Sequence, residues 1–317
     1  MLTTRIFFAT DIHGSEKCFK KFISAASFYK ANCIIMGGDI TAKMIVTIVK
    51  QSDGSYTAKY LGGEYVARTD DELRKLEDNI RFVGYIPYLT DPNEVGHLQS
   101  DQNKVDQLFH RLMVADLEKW VKIAEERLKG TNVKCFILPG NDDRVDIDDS
   151  LEGSPVIVNP ESKVLRIDEH HEMISTGYAN ITPWNCPRDI PEEQLAKKIE
   201  NMASKVENMK NCIFSFHCPP FQSGLDDAPK LDATLRPVVK GGQMIMESVG
   251  STAVREAIVK YQPLLGLHGH IHEARGATKI GRTICINPGS EYSEGVLRGV
   301  VVNLGKDEVL SHLLVAG

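Results

Sequence analysis

Nowhere in the 317 residues does an apolar run approach the roughly 20 residues that a membrane-spanning helix needs. Positive charge is not in excess either, with 37 Lys and Arg against 43 Asp and Glu and a net charge of −6. Binding to extended nucleic acid or to an anionic membrane depends on cations that neutralise phosphates, so neither partner is expected. A small phosphorylated ligand met by a bound metal remains compatible with this balance. Cysteine is sparse and odd in number, seven, and no two stand at CxxC spacing, which excludes a fully paired disulfide framework and the usual thiolate zinc patterns. Cys33, Cys135, Cys212 and Cys285 fall in apolar stretches, where a free thiol acts as a small hydrophobe, and a reducing cytoplasm is the expected setting. The opening "MLTTRIFFATDIHG" runs straight into a strand-like segment without a basic stretch and a long apolar one, so no secretory leader is expected. Internal repeats and Gly/Ser linkers are missing as well.

What is present reads as one soluble globular domain spanning 1–317, with 42% hydrophobic and 25% charged residues. A compact βαβ unit comes first: strand "RIFFAT", loop "DIHG", a helix with Ser15 as N-cap and Phe19, Phe22, Ile23 and Ala26 on its apolar face, then strand "CIIMGGD". From 43 to 98 the pattern changes to a hairpin around an Asp-Gly turn, a helix opened by the capping box Thr69/Glu72, and a Gly/Pro/Asp-punctuated stretch. This segment reads as an insertion, a small hairpin-plus-helix subdomain and a candidate lid or specificity element carrying Tyr56, Tyr60, Tyr85 and Tyr88. A long helix is expected over 102–129, with Leu117, Trp120, Ala124 and Leu128 on one face, then the buried-strand run "VKCFILPG". Short strands at 155–178, a polar helix over 191–210, strand "NCIFSF", a helix capped by Ser251 and several closing strands complete an α/β chain.

Each buried strand ends in residues suited to a hard or borderline cation: Asp11 and His13, Asp39, Asn141, His217, and finally His270 and His272. In open α/β sheets ligands bind beyond the carboxyl ends of strands, so five loops scattered along the chain can converge there. Carboxylate, amide and imidazole together suit Mn, Fe, Zn or Co better than a thiolate-seeking metal. In "GLHGHIHEARG" the histidines 268, 270 and 272 alternate, and on a strand such spacing points three rings to one face.

In order, the motifs "DIHG", "GGDI", "GNDD", "SFHCPP" and "HGHIH" resemble those of the calcineurin-like metallophosphoesterase superfamily, and the resemblance covers nearly the whole chain apart from 43–98. It implies an α/β fold, a four-layer αββα sandwich, holding two divalent transition-metal ions (Mn, Fe, Zn, Co or Ni). Carried over, Asp11, His13 and His272 hold the first metal, Asn141, His217 and His270 the second, and Asp39 bridges both. His268 has no counterpart as a ligand and is expected to support the ligands, as is Asp143 at the acidic position after the Asn. Two such ions about 3.5–4 Å apart can generate a hydroxide near neutral pH and neutralise phosphate oxygens, so neither a protein nucleophile nor an organic cofactor is required.

Departures narrow the reading. Where the superfamily commonly has a histidine beside the leaving group, this chain has Asp142, and a carboxylate in its ionised form has no proton to give a leaving group. The candidate catalytic residues are therefore Asp39, Asn141 and Asp142. "GGDITAK" lacks the marks of the protein Ser/Thr phosphatases and of the purple acid phosphatases. A cytoplasmic phosphodiesterase acting on small nucleotide-derived, cyclic or aryl phosphodiesters is the expectation. A phosphomonoesterase or pyrophosphatase of the same fold is the first alternative. A non-catalytic scaffold, as in retromer-type relatives, is the second, and loss of ligands would be its mark. All seven expected positions are filled.

Overall fold

The computed structural model describes residues 3–317. Its centre is a pair of six-stranded sheets packed face to face. The first holds, in spatial order, Val309–Ala316, Arg298–Leu304, Thr4–Ala9, Cys33–Gly37, Lys134–Leu138 and Ile157–Val158. The second holds Gly276–Ile280, Thr283–Asn287, Leu265–Leu267, Ile213–Phe216, Glu172–Thr176 and Val164–Arg166. Central strands run parallel in both, for example Ile6 beside Cys33 and Ile213 beside Leu265, so their carboxyl ends lie on one edge.

Alternation of side chains assigns the layers. In Thr4–Ala9, Ile6 and Phe8 point to the space between the sheets, where they meet Ile35, Phe136, Ile213, Leu265 and Val302. Phe7 and Ala9 point the other way, to the helices Glu16–Phe28 and Gln102–Leu128, whose Phe19 and Trp120 rings stack at 4.6 Å. The second sheet repeats the arrangement: Ile174, Phe214 and Phe216 face the helices Glu192–Ala203 and Thr252–Tyr261. Strands buried on both faces explain the unbroken apolar runs, and the result is a helix–sheet–sheet–helix stack.

Two expectations need correction. The polar helix ends at Ala203 rather than 210, because the Glu172 carboxylate accepts hydrogen bonds from the backbone N–H groups of Glu207 and Asn208 and draws the chain away. The insertion is also more than a hairpin and one helix. Gly63–Ala67, Tyr56–Tyr60, Ile45–Lys50 and Ile86–Thr90 form a four-stranded sheet, and besides Asp70–Phe82 there is a short helix Pro92–Gln99 capped by Asp91. Strand Ile86–Thr90 carries Pro87, tolerated because this is an edge strand. Among the described residues no helix is long and apolar enough to cross a membrane.

Candidate metal centre

Strand Thr4–Ala9 delivers Asp11 and His13, Cys33–Gly37 delivers Asp39, Lys134–Leu138 delivers Asn141, Ile213–Phe216 delivers His217, and Leu265–Leu267 delivers His270 and His272. These seven converge at the shared carboxyl edge. His272 Nε2 lies 3.3 Å from Asp11 Oδ1 and 3.1 Å from His13 Nε2. Asp39 places Oδ2 3.6 Å from His13 Nε2 and Oδ1 3.4 Å from His217 Nε2. His270 Nδ1 is 2.9 Å from Asn141 Oδ1. Two atoms each bonded to one ion at about 2.1 Å stand roughly 3–3.4 Å apart at tetrahedral or octahedral angles. Three of the five separations, 3.1, 3.3 and 3.4 Å, fall in that range, and those of 2.9 and 3.6 Å lie just outside it. Two groups of potential ligands result, Asp11/His13/His272 and Asp39/His217/His270, with a third made by His13, Asp39 and Asp142. His217 Nε2 is buried without a hydrogen-bond partner, as a ring nitrogen reserved for a cation would be. The donor set fits divalent transition metals.

The backbone is shaped to these positions. Asp11, His13, Asp39 and His270 all lie in the left-handed region, at φ of 54°, 38°, 52° and 68°, and such residues cost about 1–3 kcal/mol each unless their surroundings hold them. Gly38 makes room at φ +122°, since a Cβ there would stand 2.2 Å from His217 Nδ1. At Gly140 a Cβ would meet both the N and Oδ1 of Asp39 at 2.2 Å.

The alternating histidines are not on a strand. It stops at Leu267, and the left-handed turn at His270 sends the rings apart. His268 is buried, its Nδ1 2.9 Å from the Phe216 carbonyl oxygen, whereas His270 joins Asn141 and His272 joins His13. Asp143, also buried, accepts hydrogen bonds from the N–H groups of Ile40, Thr41 and Gly140 and from the Thr41 hydroxyl, tying the Asp39 loop to the Asn141 loop. Asp142 differs from both: its side chain is 32% exposed, with Oδ2 3.1 Å from Lys43 Nζ.

Sequence reasoning missed several supporting residues. Asp189 accepts from Asn141 Nδ2 at 2.9 Å and so orients that amide. Buried Arg188 donates to the Asp143 and Arg144 carbonyl oxygens and to Asp148. Asn287 donates to the Gly269 and Ile271 carbonyl oxygens and braces the histidine loop. Tyr292 packs its ring 4.8 Å from that of His13. Of the insertion's four candidate tyrosines, Tyr56, Tyr60 and Tyr85 pack against its own core and Tyr88 donates to Glu94, while a Cβ on Gly84 would stand 2.3 Å from the His13 carbonyl oxygen.

Electrostatically the centre is a dry set of acids and imidazoles. Burial opposes charge on Asp11 and Asp39, but His217 beside them holds both carboxyls below the usual range. Burial likewise opposes charge on His217, yet Asp39 and Asp11 raise it to about 10. Burial and the neighbouring His217 lower His270 to about 4. Burial and Asp39 push Asp143 up to about 6.

Comparison with known proteins adds the fold. No family model matches the chain. An uncharacterized protein of Methanocaldococcus jannaschii, MJ1162, is 32% identical over 158 residues, which is 49% of this chain and 64% of that protein. The match thus spans less than two thirds of its relative. The crystal structure of TT1561 of Thermus thermophilus superimposes with a TM-score of 0.53 at 14% identity, covering 100% of this chain and 99% of that one. In motif order and in layering the chain resembles the calcineurin-like metallophosphoesterase superfamily. YfcE, a phosphoesterase from E. coli, is matched more loosely, at a TM-score of 0.34 and 12% identity over 98% of both chains.

Two outcomes follow. Gly140→Ala should fold but displace Asp39, lowering stability by about 1–3 kcal/mol and reducing metal uptake, read by thermal melts and elemental analysis; a variant that keeps full uptake contradicts this packing. Metal uptake at pH 7 should also release a proton from His217, whose raised pKa of about 10 keeps it protonated in the metal-free protein. That proton's contribution to metal-free stability is complete below the ordinary 6.5 and fades as pH rises through about 10. Metal affinity should therefore rise with pH through the neutral range, and calorimetry in buffers of different ionisation enthalpy should register the released proton.

Proposed function

We propose that the protein is a dinuclear metal-dependent phosphoesterase that prefers small phosphodiesters, nucleotide-derived, cyclic or aryl. One observation carries the reading: Asp39 turns one carboxylate oxygen toward His13 and the other toward His217, as a carboxylate shared by two cations would. When bound, the ions would supply an activated water and neutralise phosphate charge. The chain's own part is to hold ligands rigidly, with Asp189 orienting Asn141 and Asn287 bracing the loop of His270 and His272. All seven ligand positions are filled, which speaks against a scaffold that has lost its metals.

The preference for diesters rests on Asp142. No imidazole stands at this position to protonate a departing alkoxide, so substrates with stable leaving groups are favoured. A small phosphorylated substrate, which the resemblance implies and the charge balance allows, and a cytoplasmic setting, in keeping with the cysteine usage, are part of the same proposal.

Purified protein reconstituted with Mn²⁺ or Zn²⁺ should carry up to two ions, and Asp39→Ala should abolish turnover of aryl phosphodiesters while weakening both sites. Absence of any ion after reconstitution, or an unimpaired Asp39→Ala variant, refutes the reading. Aryl diesters should be hydrolysed much faster than alkyl monoesters. Asp142→His should raise monoester turnover at unchanged metal content, since general acid catalysis is typically worth about 10²–10⁴-fold.

A further inference from the structure

We infer that the Asp142 carboxylate, held in place by Lys43, acts as a charge filter at the mouth of the metal centre, admitting monoanionic phosphodiesters and disfavouring dianionic phosphomonoesters. The inference rests on the phosphoesterase reading and names the residue that sets its substrate class.

Asp142 is the carboxylate of this centre that solvent reaches: its side chain is 32% exposed, against 1% for Asp11 and 6% for Asp39. It nevertheless belongs to the cluster, since one of its oxygens lies with His13 and Asp39 in a group whose ligand atoms are all within 4.8 Å of one another. A phosphate drawn to cations held by His13 and Asp39 therefore arrives beside Asp142. The residue is fixed from three sides. Its N–H donates to Asp39 Oδ1 at 3.0 Å, Lys43 Nζ contacts Oδ2 at 3.1 Å, and the Cys186 thiol donates to Oδ1 at 3.4 Å. Lys43 leaves the core at the start of the insertion, so the inserted segment supplies the cation that positions this acid.

The chemistry discriminates by one charge. A phosphodiester has a single negative charge near neutral pH, whereas a phosphate monoester, with a second pKa near 6, is dianionic at pH 8. The ammonium of Lys43 offsets part of the Asp142 field for either substrate, and what is left acts on two charges in a monoester rather than one. The second charge of a monoester is left facing a fixed carboxylate at short range, where repulsion is only partly screened. An acid that merely belongs to a solvated loop would show no such dependence on substrate charge.

The test compares an aryl phosphodiester with the aryl phosphomonoester of the same phenol at pH 8, using metal-loaded protein. Asp142→Asn should raise the monoester-to-diester ratio of kcat/KM by on the order of tenfold, the effect of removing one nearby like charge, with metal content unchanged. Lys43→Ala, which leaves the carboxylate uncompensated, should lower the ratio, and adding Asp142→Asn to it should erase that loss. Binding supplies a separate readout: by calorimetry, Asp142→Asn should tighten inorganic phosphate relative to dimethyl phosphate. If the loaded wild-type protein hydrolyses neither ester, the phosphoesterase reading falls, and the binding comparison alone decides the filter. An unchanged preference between phosphate and dimethyl phosphate overturns the inference, as does loss of metal from Asp142→Asn, which would make Asp142 a ligand.

Discussion

The burial of the Asp39 carboxylate is the constraint on which the rest of this structure depends. A charge placed in a dry interior is costly unless it is paired and hydrogen-bonded, and here it lies beside a second carboxylate, Asp11, which raises that cost. His217 offsets both acids in the metal-free chain by carrying a proton, and a divalent cation would do so more fully. Every neighbouring feature serves this arrangement. Gly38 and Gly140 have no Cβ because none fits beside His217 and Asp39, and Asp143 collects the N–H groups of Ile40, Thr41 and Gly140 so that the two loops keep one geometry. The left-handed backbone at Asp11, His13 and His270 is held by further hydrogen bonds, from the Asp11 N–H to the Gly38 carbonyl oxygen, from the His13 N–H to the Asp39 carbonyl oxygen and from the His270 N–H to the Asp11 carboxylate. Four left-handed residues and the buried Asp11 and Asp39 carboxylates meet at this edge, while two sheets with apolar faces supply the stability that tolerates them.

How far the chain could be read beforehand follows from this division. The layers were legible because strands buried on both faces need continuous apolar runs, and the meeting of the candidate ligand residues because each stands where such a run ends. Residues that act through shape were not legible. Asn287 looks like any turn asparagine until its amide is seen bracing two carbonyl groups of the histidine loop, and Arg188 gives no hint in sequence that its guanidinium is buried under Asp143. The histidine run misled for a related reason: period-two spacing implies a common face only while the chain stays extended, and the turn at His270 breaks that premise. In the insertion, the Asp-Gly turn announced its hairpin, but "IPYLT" is short, contains proline, and becomes a strand only by pairing with Ile45–Lys50.

The insertion is tied to the metal centre by backbone contact as well as by charge. Gly84 lies so close to His13 that a Cβ there would stand 2.3 Å from the His13 carbonyl oxygen, and the Tyr292 ring, packed on His13, closes the same gap from the other side. Met44 accepts from the N–H of Ile86, so the two ends of the insertion's sheet are joined directly beside these contacts. A shift of the inserted sheet therefore presses on His13, whose backbone is already strained at φ 38°. Close-packed interiors transmit such displacements rather than absorb them. Sequence change in the insertion thus has a physical route to the His13 loop through Gly84, and a second, through Lys43, to the half-exposed Asp142 carboxylate.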